Sequence, residues 1–134
     1  MRGERRRRMK TKKILIVDDE PDITLAFNML LRREGFDVDT FNDPVLALSE
    51  FTPNYYDIAF LDIKMPKMDG FSLYREIGKR DKNIKIYFLT ASEEYYETFR
   101  NEEFAKIDKD LFIQKPIANK ELVKRINQIL GKNQ

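Results

Sequence analysis

Residues 58–71 read IAFLDIKMPKMDGF, and the fold turns on how the run Ile58-Ala59-Phe60-Leu61 ends. It stops on one carboxylate, Asp62, and a proline and an Asp-Gly pair follow within eight residues. A continuous apolar run bounded by turn signals suits a strand covered on both faces of a parallel sheet. An acid at its end is ordinarily the first solvated residue of a loop. What ends the other strands decides whether Asp62 is more than that.

Working outward, Lys13-Ile14-Leu15-Ile16-Val17 is a second strand of the same kind, and Asp18-Asp19-Glu20 follows it. Pro21 suits the first position of a helix whose apolar face is expected to be Ile23, Ala26, Phe27, Leu30 and Leu31, with Gly35 as its stop. Phe36 to Phe41 alternates apolar and polar, as a strand near a sheet edge does. Asp43-Pro44 reads as a helix cap and first position, with Val45, Leu46, Leu48 and Phe51 as the expected buried face. The strand around Asp62 is expected to begin at Tyr56, and a helix is expected from about Asp69 to Ile77, ending at Gly78. Ile84 to Leu89 is a strand ending at Thr90, and Ser92-Glu93-Glu94 opens a further helix with a capping hydroxyl and acids in its first turn. Leu111-Phe112-Ile113 is the last strand. A closing helix carries Leu122, Val123, Ile126, Ile129 and Leu130 and stops at Gly131. Five strands alternating with five helices point to an α/β fold, a parallel sheet with right-handed crossovers and helices on both faces.

Composition narrows the chemistry. The 134 residues suit one domain, with 42% hydrophobic residues for a core and 36% charged ones for its surface. No apolar run reaches a membrane span and no signal peptide is evident, so a cytoplasmic protein without membrane insertion is expected. Cysteine and histidine are both absent, which excludes disulfides, thiolate sites and imidazole ligands or bases. A metal here would be held by oxygen, favouring Mg²⁺, with Mn²⁺ or Ca²⁺ as substitutes. The net charge of +2 divides unevenly: residues 1–13 hold eight Lys or Arg against Glu4, a net +7, leaving −5 on the remainder.

In open α/β sheets, ligands bind beyond the carboxyl ends of the strands. Those ends carry Asp18 and Asp19, Asp62, Thr90 and the Lys115-Pro116 pair. Three carboxylates on one edge repel unless a cation or protons intervene. Mg²⁺ bound there keeps positions open for phosphate oxygens, and a carboxylate beside it is suited to form an aspartyl phosphate. Thr90 and Lys115 are donors suited to hold phosphate oxygens.

LIVDDEP, FLDIKMPKMDGF, FLTAS and FIQKP, in this order and spacing, resemble the receiver domain of two-component response regulators. The resemblance covers residues 12–131, leaving a basic arm at 1–11 and a short tail at 132–134. It implies a flavodoxin-like (βα)5 doubly wound sheet in the order 2-1-3-4-5. By the same resemblance Asp62 is the phosphoacceptor, Asp19 a direct Mg²⁺ ligand, Asp18 a ligand acting largely through water, and the Lys64 carbonyl a third protein ligand. Thr90 is implied as the switch hydroxyl, Lys115 as the phosphate-binding lysine with a cis bond to Pro116, and Phe112 as the switch aromatic. The small pair usual before the last strand is replaced by Lys106-Ile107-Asp108, and Tyr95, Tyr96, Phe99 and Phe104 crowd the same segment as a candidate contact patch.

The expected function is that of a stand-alone, phosphorylation-controlled switch. The phosphoryl donor must be external, a histidine kinase or histidine phosphotransfer protein, because the chain has no histidine. Output is expected by binding an unidentified downstream protein or by relay, with no enzymatic activity beyond self-phosphorylation on Asp62 and slow autodephosphorylation. A Mg²⁺-dependent phosphohydrolase with an aspartyl-phosphate intermediate is the alternative, but the second acid such enzymes place two residues after the nucleophile is here Lys64. A nucleic-acid binder acting through Arg5–Arg8 is the other; the arm lacks aromatics for stacking, and nucleic acid is not the expected partner. Lys64, long and cationic beside the acids, is expected to fold over them, weaken Mg²⁺ binding and prolong the phosphorylated state.

Overall fold

The computed structural model describes residues 11–91, 109–115 and 117–131. Its strands are β1 (Lys13–Val17), β2 (Asp37–Phe41), β3 (Ile58–Asp62), β4 (Lys85–Thr90) and β5 (Phe112–Gln114). The described helices are α1 (Pro21–Arg33), α2 (Pro44–Glu50), α3 (Gly70–Arg80) and α4 (Asn119–Ile129), and a short 3-10 turn, Lys109–Leu111, leads into β5. The strands form one parallel sheet in the order β2-β1-β3-β4-β5, the flavodoxin-like order. The helix expected at Ser92, the Lys106-Ile107-Asp108 departure, the aromatic patch, the basic arm up to Lys10 and Pro116 with its peptide bond lie outside the described residues. No described helix is long and apolar enough to cross a membrane.

Alternation along each strand divides the core. Ile14, Ile16, Ile58, Phe60, Leu89 and Ile113 pack against Leu30 and Leu31 of α1 and Leu122 and Ile126 of α4. Leu15, Val17, Ala59, Leu61 and Phe88 face Ala47 and Phe51 around α2, and Phe71, Leu73 and Ile77 of α3. Burying each large side chain stabilises the fold by about 2 kcal/mol, so β1 and β3, apolar on both faces, anchor the sheet.

The structure corrects several local expectations. In α1 the buried position is Thr24 rather than Ala26, which is exposed. The Thr24 hydroxyl donates to the Pro21 carbonyl at 3.1 Å, so its polar atom is satisfied inside. Val45 and Leu46 of α2 are about half exposed, and Ala47 and Phe51 take the core positions. Gly78 does not stop α3; the helix continues to Arg80, and the Asp81 amide donates to the Ile77 carbonyl. β3 starts at Ile58 rather than at Tyr56; ahead of it the Tyr56 hydroxyl donates to Asp39 at 2.8 Å, and the Asp57 carboxylate accepts from the Lys13 amide at 2.8 Å. Leu111 belongs to the 3-10 turn and β5 extends to Gln114. Gly35 does end α1, at φ +97°, a backbone shape that favours glycine.

Candidate functional site

Strand order reverses between β1 and β3, and the carboxyl ends of these two strands open a crevice. Asp62 is the last residue of β3, and Asp18 is the first after β1. With Asp19 they form one cluster, each offering a carboxylate oxygen within 4.8 Å of the others. Asp18 is fully buried and Asp62 nearly so. The Asp18 carboxylate is held on both oxygens: Oδ1 accepts from the Glu20 amide at 3.0 Å and Oδ2 from the Lys115 ammonium at 2.8 Å. Pro21 then starts α1, so the turn carrying both acids ends where the helix begins.

Lys115 comes from the far end of the sheet. Its amide donates to the Thr90 carbonyl at 2.7 Å, fastening the end of β5 to that of β4. Its Nζ lies 3.5 Å from Asp62 Oδ1 and 3.8 Å from Glu20 Oε1. One ammonium therefore faces three acids directly, with Asp19 beside them. Burial draws the Lys115 pKa down, but its bond to Asp18 and the charges of Asp18, Asp62 and Glu20 outweigh that, and it is raised. For Asp62, burial first and the Asp18 charge second push the carboxyl up to about 7; Lys115 opposes the rise and Asp19 reinforces it. The site is short of positive charge.

Thr90, buried at the end of β4, completes a cleft of about 500 Å³ lined by Asp19, Glu20, Asp62, Lys64, Met65, Pro66, Thr90, Ala91 and Lys115. Gly70, at the start of α3, is held by its amide to the Ile63 carbonyl at 2.8 Å. A Cβ there would stand 2.2 Å from the Asp62 carbonyl oxygen, so only a hydrogen fits behind the acid. This steric role is missed by a reading of Asp-Gly as a turn alone. Phe112 stacks on Phe88 at 5.1 Å and faces Phe71 at 6.0 Å, which places it half-buried in the aromatic cluster under β4.

The sequence-derived residues Asp18, Asp19, Asp62, Thr90 and Lys115 thus converge. Lys64 reaches the cleft rim but is exposed and forms no ion pair among the described residues. The expectation that it folds over the acids is corrected: Lys115, anchored by β5, already fills that place. Asn42 carries no motif signal, yet its amide donates to the Asp18 carbonyl at 2.8 Å.

A cluster of oxygen donors, desolvated and short of positive charge, fits a hard divalent cation, and Mg²⁺ suits a site that keeps room for phosphate oxygens. A carboxylate in such a place has the makings of a nucleophile toward phosphorus.

A family model described as response regulator receiver domain matches residues 14–127. The transcriptional regulatory protein RprY of Bacteroides fragilis is 33% identical over 121 residues, covering 88% of this chain and 49% of RprY. The chain spans about half the length of the curated relatives it matches. The response regulator TrrA of Thermotoga maritima, solved in complex with Mg²⁺–BeF, is 31% identical with a TM-score of 0.72, covering 88% of this chain and 98% of that one. The non-phosphorylated HemR receiver domain of Leptospira biflexa is 28% identical with a TM-score of 0.75, covering 90% and 94%.

Proposed function

Because the chain belongs to the response regulator receiver domain family of two-component signalling, we propose that Asp62 is the residue on which it accepts a phosphoryl group. Receiver domains are phosphoacceptors that bind Mg²⁺ in an acidic pocket and meet histidine kinases and downstream effectors; they are signalling domains, generally not classed as enzymes. The donor for this chain is a phosphohistidine of a partner kinase or phosphotransfer protein. In the transfer the phosphorus–nitrogen bond breaks as an Asp62 Oδ forms the phosphorus–oxygen bond, and the histidine nitrogen leaves with the electron pair. Asp18, Asp19 and Asp62, with the Lys64 main-chain carbonyl, would hold the Mg²⁺. When bound, the ion neutralises phosphoryl oxygen charge as a Lewis acid.

The residues divide the work. Gly70 keeps the backbone behind Asp62 in place, so its carboxylate faces the cleft. Lys115 moves from Asp18 toward the new phosphoryl group, a short shift from an ammonium already 3.5 Å from Asp62. The Thr90 hydroxyl donates to a second phosphoryl oxygen, and this draws the end of β4 inward. Phe112, beside Phe88 on the neighbouring strands, responds by turning in, which alters the surface that a downstream protein reads. The observation that carries the reading is Asp62 at the end of β3, in a desolvated cluster with two further acids and Lys115. The Mg²⁺–BeF complex of the Thermotoga relative supports it.

The test is incubation with a small acyl phosphodonor and Mg²⁺, followed by intact mass. The parent should gain one phosphoryl group and Asp62→Asn none. A variant that still gains it refutes the assignment.

A further inference from the structure

The turn that ends the edge strand β2 touches both loops that carry the acidic cleft. Asn42 serves the first. Its Nδ2 donates to the Asp18 main-chain oxygen at 2.8 Å and to the Thr24 hydroxyl at 2.9 Å. Thr24 is itself buried and bonded to the Pro21 carbonyl, so the amide grips the acidic turn and the first turn of α1 together. The Asp18 carbonyl belongs to the peptide that leads into Asp19. Holding that oxygen sets the direction in which the Asp19 side chain leaves the backbone. From the other side, the Asp18 amide donates to the Phe41 carbonyl at 3.1 Å.

Asp43 serves the second loop. Its Oδ1 accepts from the Val45 amide at 2.9 Å and caps α2, while its Oδ2 accepts from the Lys67 ammonium at 3.0 Å. Lys67 lies between Asp62 and Gly70 and holds φ at +74°, a left-handed backbone that is unfavourable for a lysine. The ion pair secures the tip of that loop. Three carboxylates within 4.8 Å push their loops apart, and two neighbouring residues on one strand end oppose the spreading.

We propose that the Asn42–Asp43 turn is a positioning device for the phosphoacceptor site, fixing the β1–α1 and β3–α3 loops at the separation that Mg²⁺ binding and phosphoryl acceptance require. This rests on Asp62 as the acceptor. Neither residue touches the reacting atoms; they act through Asp18 and Lys67. Preorganisation of ligands by such outer contacts commonly governs metal affinity.

The test uses the full chain and follows Mg²⁺ titration, urea unfolding and phosphorylation rate at saturating Mg²⁺. Asn42→Ala should lower Mg²⁺ affinity about tenfold. Asn42→Asp keeps the shape, loses the donated protons and adds an anion; affinity should fall despite the added attraction for a cation. Asp43→Asn keeps the helix cap but loses the charge facing Lys67, and should lower affinity about twofold to threefold. That smaller effect should vanish at high salt, whereas the Asn42 effect persists. Lower urea midpoints with parental Mg²⁺ affinity in both Asn42 variants, or a rise in affinity in Asn42→Asp, would overturn the proposal. A parent chain that takes no phosphoryl group on Asp62 would instead defeat the acceptor reading and this inference with it.

Discussion

Replacing Asp62 by asparagine should stabilise the metal-free protein, and the gain should depend on pH in one direction only. A carboxyl whose pKa rises from 3.8 to about 7 on folding costs the folded state about 4 kcal/mol once it is fully ionised. The folded chain holds that proton more tightly than the unfolded chain. Stability is therefore untouched below about pH 4, is lost progressively as pH rises from about 4 to about 7, and stays at its lower value above. Asparagine keeps the shape and removes the charge. Relative to the parent, Asp62→Asn should gain about 1–2 kcal/mol near pH 5 and about 4 kcal/mol near pH 8. Urea unfolding followed by far-ultraviolet circular dichroism, with a chelator present, measures this at each pH, and an unchanged slope confirms that the same surface is exposed. Excess Mg²⁺ should narrow the gap by stabilising the parent more. An equal gain at both pH values would mean that packing, not charge, is responsible. No gain at either would refute the picture of an electrostatically strained cluster.

Gly70→Ala should destabilise the fold by about 3 kcal/mol, because its Cβ would stand 2.2 Å from a backbone oxygen; an unfolding midpoint equal to the parent's contradicts this. Lys115→Met strands the buried Asp18 carboxylate and should cost about 3 kcal/mol in metal-free urea melts, partly recovered by Mg²⁺. Lys64→Ala should leave Mg²⁺ affinity within about twofold, as expected for an exposed lysine that forms no ion pair among the described residues; a tenfold rise would restore the competition idea. Deleting residues 1–8 should leave the phosphorylation rate unchanged, since every proposed site residue lies beyond Lys12; a large loss would give the basic arm a part in the site.

The strands and most of the site were legible because buried parallel strands write themselves as apolar runs, and each run here stops on a polar residue that the fold delivers to one edge. The order of the strands came only from the family resemblance, since apolar runs carry no record of which strand pairs with which. Asp18, Asp62, Thr90 and Lys115 could be collected this way without knowing a single distance. Other features depend on three-dimensional neighbours that no local pattern encodes. Thr24 is buried because its hydroxyl finds the Pro21 carbonyl and the Asn42 amide within the fold. Val45 and Leu46 look like core by composition, yet α2 turns Ala47 inward, into the cluster with Leu15, Val17 and Leu61. Gly78 reads as a helix stop, but among the described residues nothing lies within 4 Å of a Cβ there, and Asp81 ends the helix instead. Lys64, two residues from Asp62 in sequence, stays exposed at the cleft rim. Strand pairing, not sequence distance, brings Lys115 to the carboxylates. Asn42 lies 24 residues from Asp18, and only the parallel pairing of β1 with β2 brings them together.

Locating the phosphoryl group chemically is the most direct test of Asp62 as acceptor. The phosphorylated parent chain is reduced with borohydride, which converts an aspartyl phosphate to homoserine and leaves free carboxylates alone, and its peptides are sequenced by mass spectrometry. Homoserine at position 62, with Asp18 and Asp19 intact, is the expected result. Homoserine at position 18 or 19, or a stable phosphoester on Thr90 with Asp62 unchanged, would contradict it.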